Sequence, residues 1–192
     1  MPPALLVLVD DPDAGVAGVT DDPTAAGALL QATLGLARRV GGVGRVLLFH
    51  PAEAEATLAA RALGFRLWPQ QGDTPAQRYA NAFRQAGELG YDGGVVIGLN
   101  VPTFPAERLS DAARMLDEHQ GVIADDGHGG VAMLGLQRPE PTLFASADTG
   151  VPGYEELVTR AKQQLVRLVE LGTHEALDAD TVDDFLDASR DR

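Results

Sequence analysis

The chain has 192 residues, 45% of them hydrophobic, no cysteine and a formal charge of −13. That length supports one well-buried core, and the missing thiols exclude disulfides, thiolate metal sites and cysteine nucleophiles. The charge disfavours nucleic acid and anionic membrane, which attract clustered Lys and Arg; here the arginines are scattered and Lys162 is the only lysine.

The N-terminal MPPALLVLVDD has no basic residue before its short apolar run, which argues against a signal peptide. No apolar stretch is long enough to span a bilayer. The expectation is a cytoplasmic, soluble protein that neither inserts in a membrane nor binds nucleic acid; its oligomeric state is not legible.

ALLVLV at 4–9 reads as a buried first strand, ended by Asp10, Asp11, Pro12 and Asp13. The loop over 10–23 contains five aspartates and no cation. A helix over 24–40 places Leu29, Thr33, Leu36 and Val40 on one face, with Gly41 and Gly42 as its stop. RVLLF at 45–49 is then a second strand, and the alternation implies a right-handed crossover into a parallel sheet. A helix over 51–63 and a short strand over 65–68 follow.

In QQGDTPAQR, Thr74, Pro75 and Gln77 stand as N-cap, N1 and N3 of a helix, a threonine-glutamine capping box. Tyr79, Phe83 and Ala86 continue it at helical spacing, and Gly90 closes it. GGVVIGLNVP reads as a buried strand over 95–97 that delivers Asn100 to the sheet edge where open α/β sheets bind ligands. A helix is expected over 105–118 with Leu109, Ala112 and Leu116 inward. Two strands, 121–124 and 131–136, flank the DDGHGG loop, which holds His128 opposite Asn100. The stretch 137–153 is irregular. A long helix is expected over 154–171, carrying Leu157, Ala161, Leu165 and Leu168, and a final helix starts at Thr181-x-x-Asp184.

The candidate chemical residues also have plain structural readings. Asn100 before Pro102 is either a ligand or a hydrogen-bonding turn residue. Asp125 and Asp126 belong to an ordinary Asp-Asp-Gly turn unless they replace lost carboxylates. Asp10, Asp11 and Asp13 form either a cation site or a solvated acidic loop. Asp178, Asp180 and Asp184 are read as fixing the C-terminal turn. The four histidines show no HExxH spacing, and GxGxxG, GxxxxGK[ST] and GxSxG are missing, which disfavours dinucleotide, P-loop and serine-hydrolase chemistry.

QGDTPAQR, VVIGLNVP, ADDGHGGVAMLGL, ADTGVPGYEELVTRA and LDADTVDDFL, in that order, resemble the glycosyltransferase-like family associated with radical-SAM and selenoprotein-type domains, within the GT-A, or nucleotide-diphospho-sugar transferase, superfamily. The resemblance runs over 70–186. It implies a single domain over 1–192 with a mixed, mainly parallel sheet flanked by helices, a nucleotide or nucleotide-sugar ligand, and a divalent Mg or Mn if the protein is active. It places Gln71, Gly72, Asp73, Arg78, Gly129 and Gly130 at the nucleotide or sugar, Asn100 and His128 at the metal, and Asp125 and Asp126 in catalysis.

The sequence departs from that family in three places. A Lys-Thr-Arg run after the first strand is replaced by GVAGVTDD, Ser-Asp-Cys-Pro by Leu99, Asn100, Val101 and Pro102, and Asp-Gly-Gly-Tyr by His128, Gly129, Gly130 and Val131. Cations that hold phosphate and anions that hold metal are both lost. The resemblance therefore implies a glycosyltransferase-like protein of altered activity. The alternatives are a non-catalytic descendant that binds a ligand or a protein, and a nucleotidyltransferase.

Overall fold

A computed structural model describes residues 1–11, 14–145 and 150–190. The strands are Ala4–Val9 (β1), Gly44–Phe49 (β2), Arg66–Pro69 (β3), Gly94–Ile97 (β4), Gly121–Asp125 (β5), Val131–Leu136 (β6) and Leu168–Thr173 (β7). The helices are Pro23–Arg39 (α1), Glu55–Ala59 (α2), Pro75–Glu88 (α3), Ala106–Met115 (α4), Tyr154–Gln163 (α5) and Val182–Arg190 (α6).

The strands form one sheet in the order β3-β2-β1-β4-β6-β5-β7. β1 is parallel to both β2 and β4, β2 to β3, and β5 to β7, while β6 runs antiparallel to β4 and β5. The chain first winds outward from β1 to β3, then returns to lay β4 on the other side of β1. The strand order therefore reverses between β1 and β4. This is the expected mixed, mainly parallel sheet flanked by helices.

Apolar residues run continuously along β1, β2 and β4 because helices cover both faces. Leu5, Val7, Val9, Leu47 and Ile97 pack with Leu29 and Leu34 of α1, Leu58 of α2, Leu109 of α4 and Leu186 of α6. The alternate residues Leu6, Val46, Leu48 and Val96 pack with Phe83 of α3 and Leu157 of α5. Each fully buried side chain of this size contributes about 1.5–3 kcal/mol.

Two helix starts are set by local side chains. The Asp22 carboxylate accepts from the Thr24 and Ala25 amides at 2.9 and 3.4 Å, ahead of Pro23 at N1 of α1. The predicted capping box of α3 is present: the Gln77 amide donates to the Thr74 hydroxyl at 3.2 Å and the Thr74 amide to the Gln77 side chain at 3.3 Å.

Two expected helices are shorter. The segment expected over 51–63 is a 3-10 turn at Ala52–Ala54 followed by α2, which ends at Ala59. Leu63 is 72% exposed and Gly64 takes a left-handed φ of 87°, which closes the segment.

The helix expected over 154–171 stops at Gln163, and its second half is the strand β7. Leu165 takes a left-handed φ of 60° and is 84% exposed. The Val166 amide donates back to the Ala161 carbonyl at 2.9 Å and the Leu165 amide to Lys162 at 3.3 Å, a Schellman-type ending built on a leucine. Beyond it Leu168 and Val169 pair with Gly121 and Val122 of β5, where β-branched and leucine side chains fit a half-buried sheet surface.

The last helix, α6, begins near the predicted point, and its start is fixed by Asp178, one of the aspartates read as fixing this turn. That carboxylate accepts from the Asp180 and Thr181 amides and from the Thr181 hydroxyl, at 3.0, 3.0 and 2.7 Å.

Candidate functional site

A cavity of about 650 Å³ opens at the C-terminal ends of β1 and β4, the position where the strand order reverses and open α/β sheets bind ligands. Its volume lies within the ordinary range for small-molecule sites. Leu8, Val9, Asp10 and Asp11 line one side, Gly98, Leu99 and Asn100 another, with Ala26 and Leu30 of α1 as apolar wall. Gly15, Val16 and Ala17 from the loop after β1, Val131 of β6, and Val151 and Pro152 before α5 complete the enclosure.

The rim is held by side chains with defined tasks. Gln70, just past β3, donates through Nε2 to the carbonyls of Val9 and Leu48 at 2.8 and 3.1 Å, tying the ends of β1 and β2 together beside the cavity. Tyr79 on α3 lines the cavity and packs against Phe144 and Phe83, with ring centroids 5.5 and 6.2 Å away. Burial pushes its hydroxyl well above the usual phenol range, so it stays neutral. The cavity places Asn100 at its edge, with the carboxamide folded over Gly98, where an added Cβ would come within 2.7 Å of the Asn100 oxygen.

Beside Asp10 sits Arg78, with only 11% of its side chain exposed and 3.4 Å between a guanidinium nitrogen and the Asp10 carboxylate. Its buried Nε has no partner among the described residues. Arg78 does not line the cavity, and neither do Gln71, Gly72 and Asp73. Those three form the turn that leads into α3. The Gln71 carbonyl accepts from Asn81 at 2.8 Å, Gly72 takes a φ of +126°, and the Asp73 amide donates to the Gln77 side chain at 2.8 Å.

The DDGHGG loop is organised by its own carboxylates. Asp126 accepts from the amides of His128 and Gly130 at 2.8 and 2.7 Å, and Asp125 from the Gly127 amide at 3.0 Å and the Thr173 hydroxyl at 3.3 Å. An added Cβ on Gly130 would lie 2.2 Å from the Asp126 carboxylate, so only glycine permits this closure. Gly153 approaches from the other side: its added Cβ would meet the Gly129 carbonyl at 2.7 Å, and the Tyr154 amide donates to that carbonyl at 3.0 Å. Gly130 and Gly153 thereby form part of the cavity wall.

Asn100 and His128 are not brought together at the cavity. The His128 ring faces the Ala176 carbonyl at 3.3 Å and the Asp178 carboxylate at 3.7 Å. The segment before α6 is stitched to both loops: Leu177 donates to the Asn100 carbonyl at 2.7 Å and Ala176 to the Asp126 carbonyl at 3.0 Å. The Thr181 hydroxyl, with the Thr181 and Asp180 amides and nearby His128, holds the Asp178 carboxyl below its ordinary range. Tyr154 donates to Glu170 at 2.7 Å, and burial together with that carboxylate pushes its hydroxyl up to about 12.

The resemblance implies a divalent metal, and these residues do not fit one. Hard cations take several oxygen ligands, mainly carboxylates. Among the described residues no three His, Asp or Glu side chains gather to hold a metal ion. Asn100 offers a neutral amide, His128 is turned to Asp178, and Asp125 and Asp126 are engaged by the loop they shape. Asp13, read with Asp10 and Asp11 as a cation candidate, lies outside the described residues.

Gln70 and Tyr79 went unread as site residues. Gln70 directly precedes a motif whose punctuation drew attention to the capping turn, and Tyr79 has the spacing of a core residue. Among the described residues no helix is long and apolar enough to cross a membrane.

Known structures share this fold. A protein of Desulfovibrio desulfuricans G20, assigned by inference as a nucleotide-diphospho-sugar transferase, superposes with a TM-score of 0.78 at 19% identity, covering 97% of this chain and 87% of that one. Rv0371c of Mycobacterium tuberculosis H37Rv superposes with a TM-score of 0.62 at 21% identity, covering 98% of each chain, and has also been solved in complex with manganese. A 4-diphosphocytidyl-2C-methyl-D-erythritol synthase from Anaerococcus prevotii DSM 20548 gives 0.64 at 11% identity, covering 99% of this chain and 97% of that one. At these identities the likeness is one of fold. No curated protein matches the chain in sequence. The sequence pattern of DUF2064, described as an uncharacterized protein conserved in bacteria, matches residues 33–151, and the chain therefore belongs to the DUF2064 family.

Proposed function

We propose that the chain is a glycosyltransferase-like protein of the nucleotide-diphospho-sugar transferase superfamily, one domain over 1–192, that binds the nucleoside portion of its ligand in the cavity between the ends of β1 and β4. The observation that carries this reading is the cavity's place at the reversal of strand order, built from the ends of both strands. Support comes from the shared fold of the Desulfovibrio protein and the erythritol synthase.

In this reading Asn100 and Tyr79 contact the ligand, while Gly130 and Gly153 let the wall approach it closely. Asp125 and Asp126 shape the wall through the Gly127, His128 and Gly130 amides and take no part in proton transfer. The turn over 71–73 and Arg78 support the rim from behind.

Metal-assisted glycosyl transfer is not part of the proposal, because among the described residues no three His, Asp or Glu side chains gather to hold the ion. The manganese bound by Rv0371c belongs to that protein. The same donor set favours, as the second reading, a binding protein that keeps the cleft without the chemistry.

The test is a thermal-shift screen against nucleosides, nucleoside diphosphates and nucleotide-sugars, each with and without Mn²⁺. A ligand at about a hundredfold its Kd stabilises the fold by roughly 2.7 kcal/mol. A shift with one nucleoside series, lost in Ala17→Trp, supports the assignment, since Ala17 is exposed and lines the cavity. A shift that survives Ala17→Trp places the ligand elsewhere and sinks it.

A further inference from the structure

We propose that the cavity selects an uncharged nucleoside and discriminates against its phosphorylated forms, an inference that rests on the reading above. Among the described residues every charged side chain that lines the cavity is a carboxylate, Asp10 and Asp11. The remaining loop residues cannot supply a cation either, because no Lys or Arg occurs before Arg38 or between Arg138 and Arg160. The nearby guanidinium of Arg78 does not line the cavity and faces the Asp10 carboxylate at 3.4 Å.

Helix N-termini are the other common phosphate cradle, and the three that border the cavity, those of α1, α3 and α5, are already used. The amides in the first turn of α1 point at the Asp22 carboxylate, so a protein anion holds the place a phosphate would take. The start of α3 is closed by Thr74 and Gln77. At α5 the Tyr154 amide is bound to the Gly129 carbonyl, and Glu155 and Glu156 occupy the first turn. A phosphate in the cavity would therefore meet carboxylates with no compensating Lys or Arg among the described lining residues.

Beside the two carboxylates the cavity presents neutral polar groups that suit a nucleoside. The Asn100 carboxamide carries donors and an acceptor, and Asn100 lines the cavity. Tyr79 adds a hydroxyl that stays protonated. Val9, Leu30, Leu99 and Val131 offer apolar surface for a planar ring.

The experiment is isothermal titration of the full chain with adenosine, guanosine, cytidine and uridine, with their 5′-diphosphates, and with the nucleotide-sugars of the same bases, each with and without Mn²⁺. The expected result is that one nucleoside binds about tenfold or more tighter than its diphosphate, without dependence on Mn²⁺. Asn100→Leu should weaken that nucleoside by about tenfold at an unchanged melting temperature, and Asp10→Asn combined with Asp11→Asn should narrow the gap to the diphosphate. A diphosphate that binds as tightly as its nucleoside, or tighter, overturns this inference and leaves the proposed function standing. Binding by no nucleoside, diphosphate or nucleotide-sugar overturns both.

Discussion

The Leu177 amide donates to the Asn100 carbonyl across 2.7 Å, so a residue close to the last helix closes the end of the central strand. The same segment reaches the other wall of the site, where Ala176 donates to the Asp126 carbonyl at 3.0 Å. The two loops that the sequence pairs through Asn100 and His128 are joined instead by a strip of backbone.

Asp126 serves that junction through both its side chain and its backbone. Its carboxylate satisfies the His128 and Gly130 amides, and its carbonyl satisfies Ala176. Asp126→Ala strands the part-buried Gly130 amide and should cost about 1–3 kcal/mol, whereas Asp126→Asn keeps an oxygen acceptor and should cost less. Urea unfolding of both variants checks this order. Equal losses would mean that the negative charge, and not the acceptor geometry, shapes the loop.

Leu165 ends α5 in a conformation that suits glycine, with φ at 60° and its side chain in solvent. A left-handed leucine costs roughly 1–2 kcal/mol, partly offset in any exchange by the greater unfolded-state freedom of glycine. Leu165→Gly should leave the protein as stable as before or up to about 1 kcal/mol more stable. A clear loss in the denaturation midpoint would show that Leu165 makes a contact its exposure does not reveal.

His174 gives the fold a pH dependence. Its ring lies 4.4 Å from Phe104 and its Nε2 is 3.3 Å from the Thr103 hydroxyl, while Arg108 stacks over Phe104 and donates to the Leu171 carbonyl. Burial, then the Arg108 charge, hold its pKa below 6.5, with Glu175 opposing them. The unfolded chain therefore takes up this proton first. The stabilisation is complete above about pH 6.5 and is lost as the pH falls through that value toward the lower folded pKa. His174→Asn should remove this contribution, so the gap in urea midpoint between wild type and variant should change between about pH 7.5 and about pH 5. A gap that stays constant over that window would contradict the assignment.

Much of the fold was readable because its signals are local. Thr74, Pro75 and Gln77 mark a helix start within one turn, and the apolar runs of β1, β2 and β4 need helices on both faces. The helix expected over 154–171 failed because its stop is a left-handed leucine, which carries none of the signal a glycine gives. The site was half legible. Asn100 past the end of β4 follows from the strand pattern and Gly130 from the family resemblance, and both line the cavity. The direction of His128 follows from the position of the 176–178 segment, whose contacts are largely backbone hydrogen bonds and leave no trace in side-chain pattern.

The central claim is that the ligand sits between the ends of β1 and β4, and amide NMR of the labelled protein, titrated with the nucleoside or nucleotide-sugar that gives the largest thermal shift, tests it most directly. The predicted result is saturable shifts at Asn100, Gly130, Gly153 and Val16, with little change at Glu118 and His119, far from the cavity lining. Shifts confined to Gly93, Asp117 and Gln137, which line a separate pocket, or no shifts at saturating ligand, would contradict it.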